Sequence, residues 1–142
     1  MLSNTRTLQV EFGHCDPSGI VFNPHYFVWF DFSVHALLGR AGLTLKSMID
    51  EFGIDGIPLV DNQARFKAPS RWGDDIVIES SIAAVHRSAF EIRHLVHNGG
   101  TIAVECTETR VWTAFDPEQG RIRAKPLPPR VVALLSGEAS GA

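Results

Sequence analysis

Asp16 sits in the segment Gly13 to Gly19, GHCDPSG, which is dense in turn residues and empties into a helix start signalled by Asn23 and Pro24. A carboxylate in that place has two chemical uses. It can attack an electrophilic carbon directly, or it can take a proton from water. The unpaired N–H groups and positive dipole end of the helix N-terminus can hold an oxyanion that develops beside it. Pro24 carries no N–H, so Asn23 is the nearest upstream donor. The same turn also suits an Asx side chain that merely braces the loop or neutralises the helix dipole, and the residue types alone leave these uses open.

Other reactive side chains form weaker patterns. Cys15 adjoins His14, but neighbours in extended chain point to opposite sides, so the two do not readily share a proton. Six histidines raise the question of a metal, and their spacing answers it: His94 and His97 fall on opposite faces of a strand, while His25 and His35 are separated by about 15 Å of helical rise. No metal site and no cofactor are expected. Asp31 and His35 have the i to i+4 spacing of a pair satisfied within one helix.

The elements that must position these residues follow from periodicity. Leu8, Val10 and Phe12 alternate with polar neighbours, which predicts a first strand over Thr5 to Phe12. A helix from Asn23-Pro24 to about Gly39 is apolar nearly all round and is expected to be wrapped by other elements and hidden completely. Thr44 caps a second, amphipathic helix in which Leu45, Met48, Ile49 and Phe52 share a face and Gly53 provides the stop. Period-two strands follow over Leu59 to Lys67, Asp75 to His86, Ser88 to His97 and Thr101 to Phe115, with turns at Arg71 to Asp74, Asn98 to Gly100 and Asp116 to Gly120. Ile102, Val104 and Cys106 have one parity and Val111, Thr113 and Phe115 the other, which predicts a bulge or strong twist between Thr107 and Arg110. Arg121 to Lys125 reads as a short edge strand and Pro128 to Leu135 as a closing helical turn. The order implies an α+β fold, an antiparallel sheet curled around one helix. Val77, Val85, Leu95 and Val111 would then point away from the helix, so a second subunit is expected over that face.

Composition bounds the rest. The chain has 142 residues, 44% hydrophobic and 20% charged, with twelve Gly and eight Pro, which suits one globular domain and excludes disorder, collagen-like repeats and coiled coil. A net charge of -3 offers no basic face for nucleic acid. Two distant cysteines make no disulfide scaffold and suit a reducing compartment. The first dozen residues lack the apolar stretch of a signal peptide, and the most apolar run, Tyr26 to Leu38, is too short to span a bilayer. A cytoplasmic protein with no membrane partner is expected.

The stretch Glu11 to Asp31, EFGHCDPSGIVFNPHYFVWFD, resembles the signature of the 4-hydroxybenzoyl-CoA thioesterase family of the hot-dog superfamily. The resemblance includes the Asp-Pro-Ser-Gly-Ile-Val turn, the Asn-Pro-His-Tyr helix start and the acid Asp31. The segment Ala64 to Pro69, continuing to Gly73-Asp74, is similar to the family's second strand and following turn. From about Thr5 to Lys125 the element order follows the family's. The resemblance implies a hot-dog fold over residues 1–142, in which a sheet wraps a long central helix. It also implies hydrolysis of an acyl-CoA thioester, with Asp16 as the catalytic carboxylate and the Asn23 N–H polarising the thioester carbonyl.

An aryl acyl group of the hydroxybenzoyl type is the favoured substrate, with a short-chain aliphatic acyl-CoA or a noncatalytic acyl-CoA binding role as alternatives. Asp31 lies about 12 Å along the helix from Asn23, which leaves room for a ring between Phe27 and Phe30 with its distal substituent at Asp31. His86, Arg87 and Ser88, at the hairpin between two strands, are the candidates for the CoA phosphates, with Arg65, Lys67, Arg121 and Arg123 as further cations. The family's basic run there is richer than this one. A homodimer or homotetramer is expected.

Overall fold

A computed structural model of the chain describes residues 1–138. In chain order the elements are β1 (Ser3–Gln9), α1 (Pro24–Arg40), α2 (Leu45–Phe52), β2 (Leu59–Phe66), β3 (Asp75–Val85), β4 (Ala89–Asn98), β5 (Thr101–Val111), β6 (Thr113–Asp116), β7 (Arg121–Ala124) and α3 (Pro129–Ser136). Five strands form one antiparallel sheet in the order β1-β3-β4-β5-β2, while β6 and β7 form a separate ribbon. Among the described residues no helix is long and apolar enough to cross a membrane.

α1 buries Tyr26, Trp29, Phe30, Ser33, Val34, Leu37 and Leu38, a stripe at three- and four-residue spacing. Its first half packs with Ile76, Ile78, Val96 and Val104, and its second half with Ile82, Phe90, Ile92, Trp112 and the buried face of α3. The helix is not hidden completely, contrary to the expectation from its apolar composition. Phe27, Val28 and Phe32 are 37%, 51% and 59% exposed, because the sheet covers one side of α1 and nothing in the described chain covers the other. α2 follows its sequence signals: Thr44 Oγ1 accepts the Ser47 N–H at 3.1 Å, and Gly53 closes the helix at φ +68°.

The strands depart from the alternation pattern where side chains other than apolar ones face the core. β1 stops at Gln9, and Phe12 belongs to a 3-10 turn, 74% exposed and edge-on to Trp72. β5 itself carries no extra residue between Thr107 and Arg110. Its extra residue is Ala103, where pairing with β4 slips between Val96 and His97, and the irregularity opposite Thr109 and Arg110 belongs to β2, at Val60. Beyond Ala103 the inward positions run Val104, Cys106, Glu108 and Arg110, so the parity switch expected from apolar residues takes two buried charged residues for outward ones. The strand expected to reach Phe115 ends at Val111 and resumes as β6 after buried Trp112. Pairing of β3 with β4 also slips between Ile82 and Ala84, which turns Val85 onto the core instead of away from it. Val77, Leu95 and Val111 are half-buried, and exposed apolar side chains lie on α1, on edge strand β2 at Leu59, Val60 and Phe66, in the loops at Phe12 and Trp72, and on the β6-β7 ribbon at Phe115 and Ile122.

Candidate active site

The loop before α1 is tied down at both ends of its turn. Cys15 bridges Val21, the Asp16 N–H donates to Ile20 O at 3.0 Å, and Val21 N–H donates to Ser70 O at 2.9 Å. Gly19 N–H closes the turn onto Asp16 O at 2.9 Å with φ at +82°, a conformation that glycine adopts without steric cost. Asp16 Oδ1 accepts the Ser18 N–H at 2.9 Å and the Ser18 hydroxyl. The turn-bracing use of the side chain therefore occupies one oxygen. Oδ2 has no partner among the described residues. The two Ser18 donors, hydroxyl first, hold the Asp16 carboxyl below its ordinary value of 3.8, so it is a carboxylate throughout the neutral range.

Asn23 does not cap α1 with its side chain. Its backbone is already helical, at φ -45° and ψ -41°, and its side chain makes no cap bond. The effective start is one residue earlier, where Phe22 O accepts the His25 N–H at 2.9 Å. As a result the Asn23 N–H points out of the helix start with no acceptor among the described residues. Asp16 lines a cavity of about 370 Å³ with Phe12, Cys15, Pro17, Gly19 and Trp72. Asn23 lines another, of about 300 Å³, with Ile20, Tyr26, Phe66 and Lys67. Consecutive residues Gly19 and Ile20 line one cavity each, so the two openings flank a single stretch of loop.

Cys15 and His14 are not a pair. His14 Nδ1 accepts the Glu11 N–H at 2.9 Å and its ring meets Trp29 edge-on at 5.0 Å, while Cys15 Sγ leans toward Glu11 O. Cys106, 1% exposed and beside Asn62 Oδ1, has its thiol pushed up to about 12, chiefly by burial and then by Glu108.

Phe27 is on the surface of α1, but Phe30 is 1% exposed and stacks on His94 at 4.7 Å, so it lies in the core and not on a pocket wall. Phe66 of β2 meets Phe27 edge-on at 6.2 Å and supplies the second exposed ring. Asp31 does not bond to His35. Its Oδ1 accepts from Arg110 Nη2 at 2.9 Å, and its side chain is 54% exposed. Behind Arg110 runs a buried row that apolar periodicity does not reveal: Arg110 Nη2 to Glu108 Oε2 at 3.4 Å, Glu108 Oε1 to His94 Nε2 at 3.0 Å, and His94 Nδ1 to Ser80 Oγ at 2.6 Å. Only Ser80 and His94, which share parity with buried apolar residues of β3 and β4, carried a signal in the sequence.

His86, Arg87 and Ser88 form the reversal between β3 and β4. His86 Nε2 pairs with Glu91 at 2.6 Å, and the Arg87 and Ser88 carbonyls accept from Leu127 and Trp112. The exposed Arg87 guanidinium has no ion-pair partner among the described residues. Lys67 is committed to Glu105 at 3.1 Å and Arg123 to Asp116 at 3.3 Å. This reversal is at the Val85 end of β3, whereas the Asp16 loop is tied to the Asp75 end, a strand length of about 33 Å away. One chain does not bring Arg87 and Asp16 together.

Comparison with known proteins agrees with this architecture. The chain is 34% identical over 140 residues to 4-hydroxybenzoyl-CoA thioesterase of Pseudomonas sp. (strain CBS-3), covering 94% of this chain and 98% of that one. It superimposes on the structure of an Asp-to-Asn mutant of 4-hydroxybenzoyl CoA thioesterase complexed with 4-hydroxybenzoyl CoA, with TM-score 0.87 and 32% identity over 95% of this chain and 99% of that one. A gentisyl-coenzyme A thioesterase superimposes with TM-score 0.78 and 30% identity, covering 94% and 99% of the two chains. The sheet-and-helix arrangement is the hot-dog fold of these enzymes. Residues 10–135 match the thioesterase-like superfamily, and the chain belongs to that family as an acyl-CoA thioesterase.

Proposed function

We propose that the protein hydrolyses hydroxybenzoyl-CoA or a related aryl-CoA to the free acid and CoA, with Asp16 as nucleophile or general base. The observation that carries this reading is the conjunction of a carboxylate with one free oxygen and a helix-start N–H, that of Asn23, with no acceptor among the described residues, on either side of Gly19-Ile20. The thioester carbonyl lies over that stretch. As nucleophile, Asp16 Oδ2 adds to the carbonyl carbon, CoA leaves as thiolate, and water hydrolyses the resulting anhydride. As base, Asp16 takes a proton from water while the water oxygen adds to the same carbon and CoA leaves. In both routes the carbonyl oxygen gains negative charge, and the Asn23 N–H, at the positive end of α1, stabilises it.

The acyl group then runs along α1 past Phe27 and Phe66, and its distal hydroxyl donates to Asp31. That direction leads toward the Val85 end of the sheet, so the CoA moiety leaves the other way, away from the chain's own Arg87. His86, Arg87 and Ser88 reach the phosphates of CoA only from a second copy of the chain. The exposed apolar side chains of α1 and β2 support such a copy: Phe27, Val28, Phe32, Val60 and Phe66 are each between 37% and 59% exposed. The working protein is thus a homo-oligomer, a dimer or a tetramer. Both cysteines are free thiols, which suits the cytoplasm.

The test is a hydrolysis series over 4-hydroxybenzoyl-, benzoyl- and short-chain aliphatic CoA esters with released thiol as readout. The highest kcat/KM is expected for the hydroxylated aryl ester. A higher value for an aliphatic ester contradicts the aryl reading, and binding without thiol release contradicts the catalytic role of Asp16.

A further inference from the structure

The buried row behind Asp31 has no part in the chemistry at Asp16, yet it ends at the place where the distal end of the acyl group is read. Asp31 is on the outward side of α1, where a half-exposed carboxylate ordinarily samples several rotamers. Here Oδ1 is pinned by Arg110 Nη2 at 2.9 Å, and Oδ2 has no partner among the described residues. Arg110 is itself fixed. It is 6% exposed, its Nη1 donates to Ile57 O at 3.3 Å, and its Nη2 is shared with Glu108 at 3.4 Å. Glu108 is held by His94, and His94 by Ser80 on one ring nitrogen and by the stacked Phe30 ring, tilted only 14° from its plane.

We propose that Arg110, backed by Glu108 and His94, is the positioning residue that sets acyl selectivity, holding Asp31 with one oxygen committed and the other free for the substrate's ring hydroxyl. This rests on the reading that Asp31 meets the distal end of the acyl group. The physical basis is preorganisation. A buried ion pair contributes little net stability over an apolar set of the same volume, so its presence under α1 is better accounted for by the geometry it fixes than by folding. A carboxylate already held in place accepts a hydroxyl without loss of rotamer freedom on binding. Being held, it also cannot swing to solvent when an unsubstituted ring or alkyl chain arrives, so such a ligand leaves Oδ2 desolvated and unpaired. Arg110 therefore acts on both sides of the discrimination. It touches no reacting atom.

The experiment measures kcat/KM for 4-hydroxybenzoyl-CoA over benzoyl-CoA in the full-length protein and in Arg110→Lys, Asp31→Asn and the double variant, with thermal unfolding to confirm the fold. Lysine keeps a positive charge for Glu108 but lacks the planar fork that anchors one nitrogen on Ile57 O while the other meets both carboxylates. Arg110→Lys is expected to lower the ratio on the order of 10-fold, the size of a lost charge-assisted hydrogen bond. Asp31→Asn is expected to lower it at least as much, and the double variant no further than Asp31→Asn alone, since Arg110 acts through Asp31. If Asp31→Asn lowers the ratio while Arg110→Lys leaves it unchanged, or if the two effects add, the positioning role is overturned and the proposed substrate stands. If Asp31→Asn leaves the ratio unchanged, the reading of Asp31 fails and the inference falls with it. Should Arg110→Lys not fold, Glu108→Gln/Arg110→Gln removes both buried charges together and carries the same comparison.

Discussion

His94 Nε2 stands 3.0 Å from Glu108 Oε1 on the neighbouring strand, with the two side chains 0% and 1% exposed. A carboxylate taken out of water this far must be met on both oxygens, and Arg110 meets the other. Replacing Glu108 by Leu leaves the buried Arg110 guanidinium with the Ile57 carbonyl and the half-exposed Asp31 but without its buried counter-charge. Chemical denaturation of Glu108→Leu is expected to show a loss of about 3 kcal/mol, the lower end of what breaking a buried pair costs. A loss within about 0.5 kcal/mol, typical of a surface substitution, would contradict the buried pairing.

The pH dependence of turnover follows from Ser18. Its hydroxyl and N–H depress the Asp16 carboxyl below 3.8, so the carboxylate that the proposed hydrolysis uses predominates above that value and is lost as pH falls through the lowered one. Ser18→Ala removes the larger of the two donors. The acid limb of kcat/KM is expected to move upward, toward the ordinary carboxylate value, while the neutral plateau keeps its shape. An acid limb that does not move shows that Asp16 is not the group titrating there.

The sheet, both principal helices and the Asp16 turn were legible because each has a local cause. Thr44 and Gly53 bracket α2, Asn98 to Gly100 reverses β4 into β5, and Gly19 permits the turn that presents Asp16. What periodicity could not show was long-range polar pairing. Glu108 and Arg110 read as outward residues because their inward position is satisfied by His94 from one strand and Asp31 from a helix, partners far away in sequence. The same blind spot makes His35 the only local partner on offer for Asp31 and puts Phe30 on a pocket wall, where the structure pairs Asp31 with Arg110 and stacks Phe30 on His94. The bulges at Val60, Ala83 and Ala103 carry no residue signature, and each inverts the parity of the residues after it.

Arg87 tests whether the site spans two chains. The guanidinium is exposed and unpaired among the described residues, about one strand length from Asp16 of the same chain. Arg87→Ala is expected to raise KM several-fold and flatten its dependence on ionic strength, with kcat within about twofold, as befits a phosphate contact remote from the reacting atoms. Mixing Arg87→Ala with Asp16→Asn chains under exchange separates the two arrangements. Mixed oligomers with intact low-KM sites are expected if Arg87 serves the partner's Asp16, since one site then combines both wild-type residues. Absence of any such site in mixed oligomers contradicts the two-chain arrangement.

Hydrolysis by the Asp16 carboxylate is the claim on which the proposed chemistry depends. Single-turnover measurement of thiol release from 4-hydroxybenzoyl-CoA by Asp16→Asn, alongside binding of the same ester, tests it most directly. Asparagine keeps the shape of the side chain and its acceptor for Ser18 while removing the charge that attacks carbon or takes the proton. The expected result is a chemical step slower by about 10²-fold or more with the ester still bound. A variant that binds the ester and releases thiol at a near-normal rate would contradict the assignment and move the catalytic carboxylate elsewhere in the molecule.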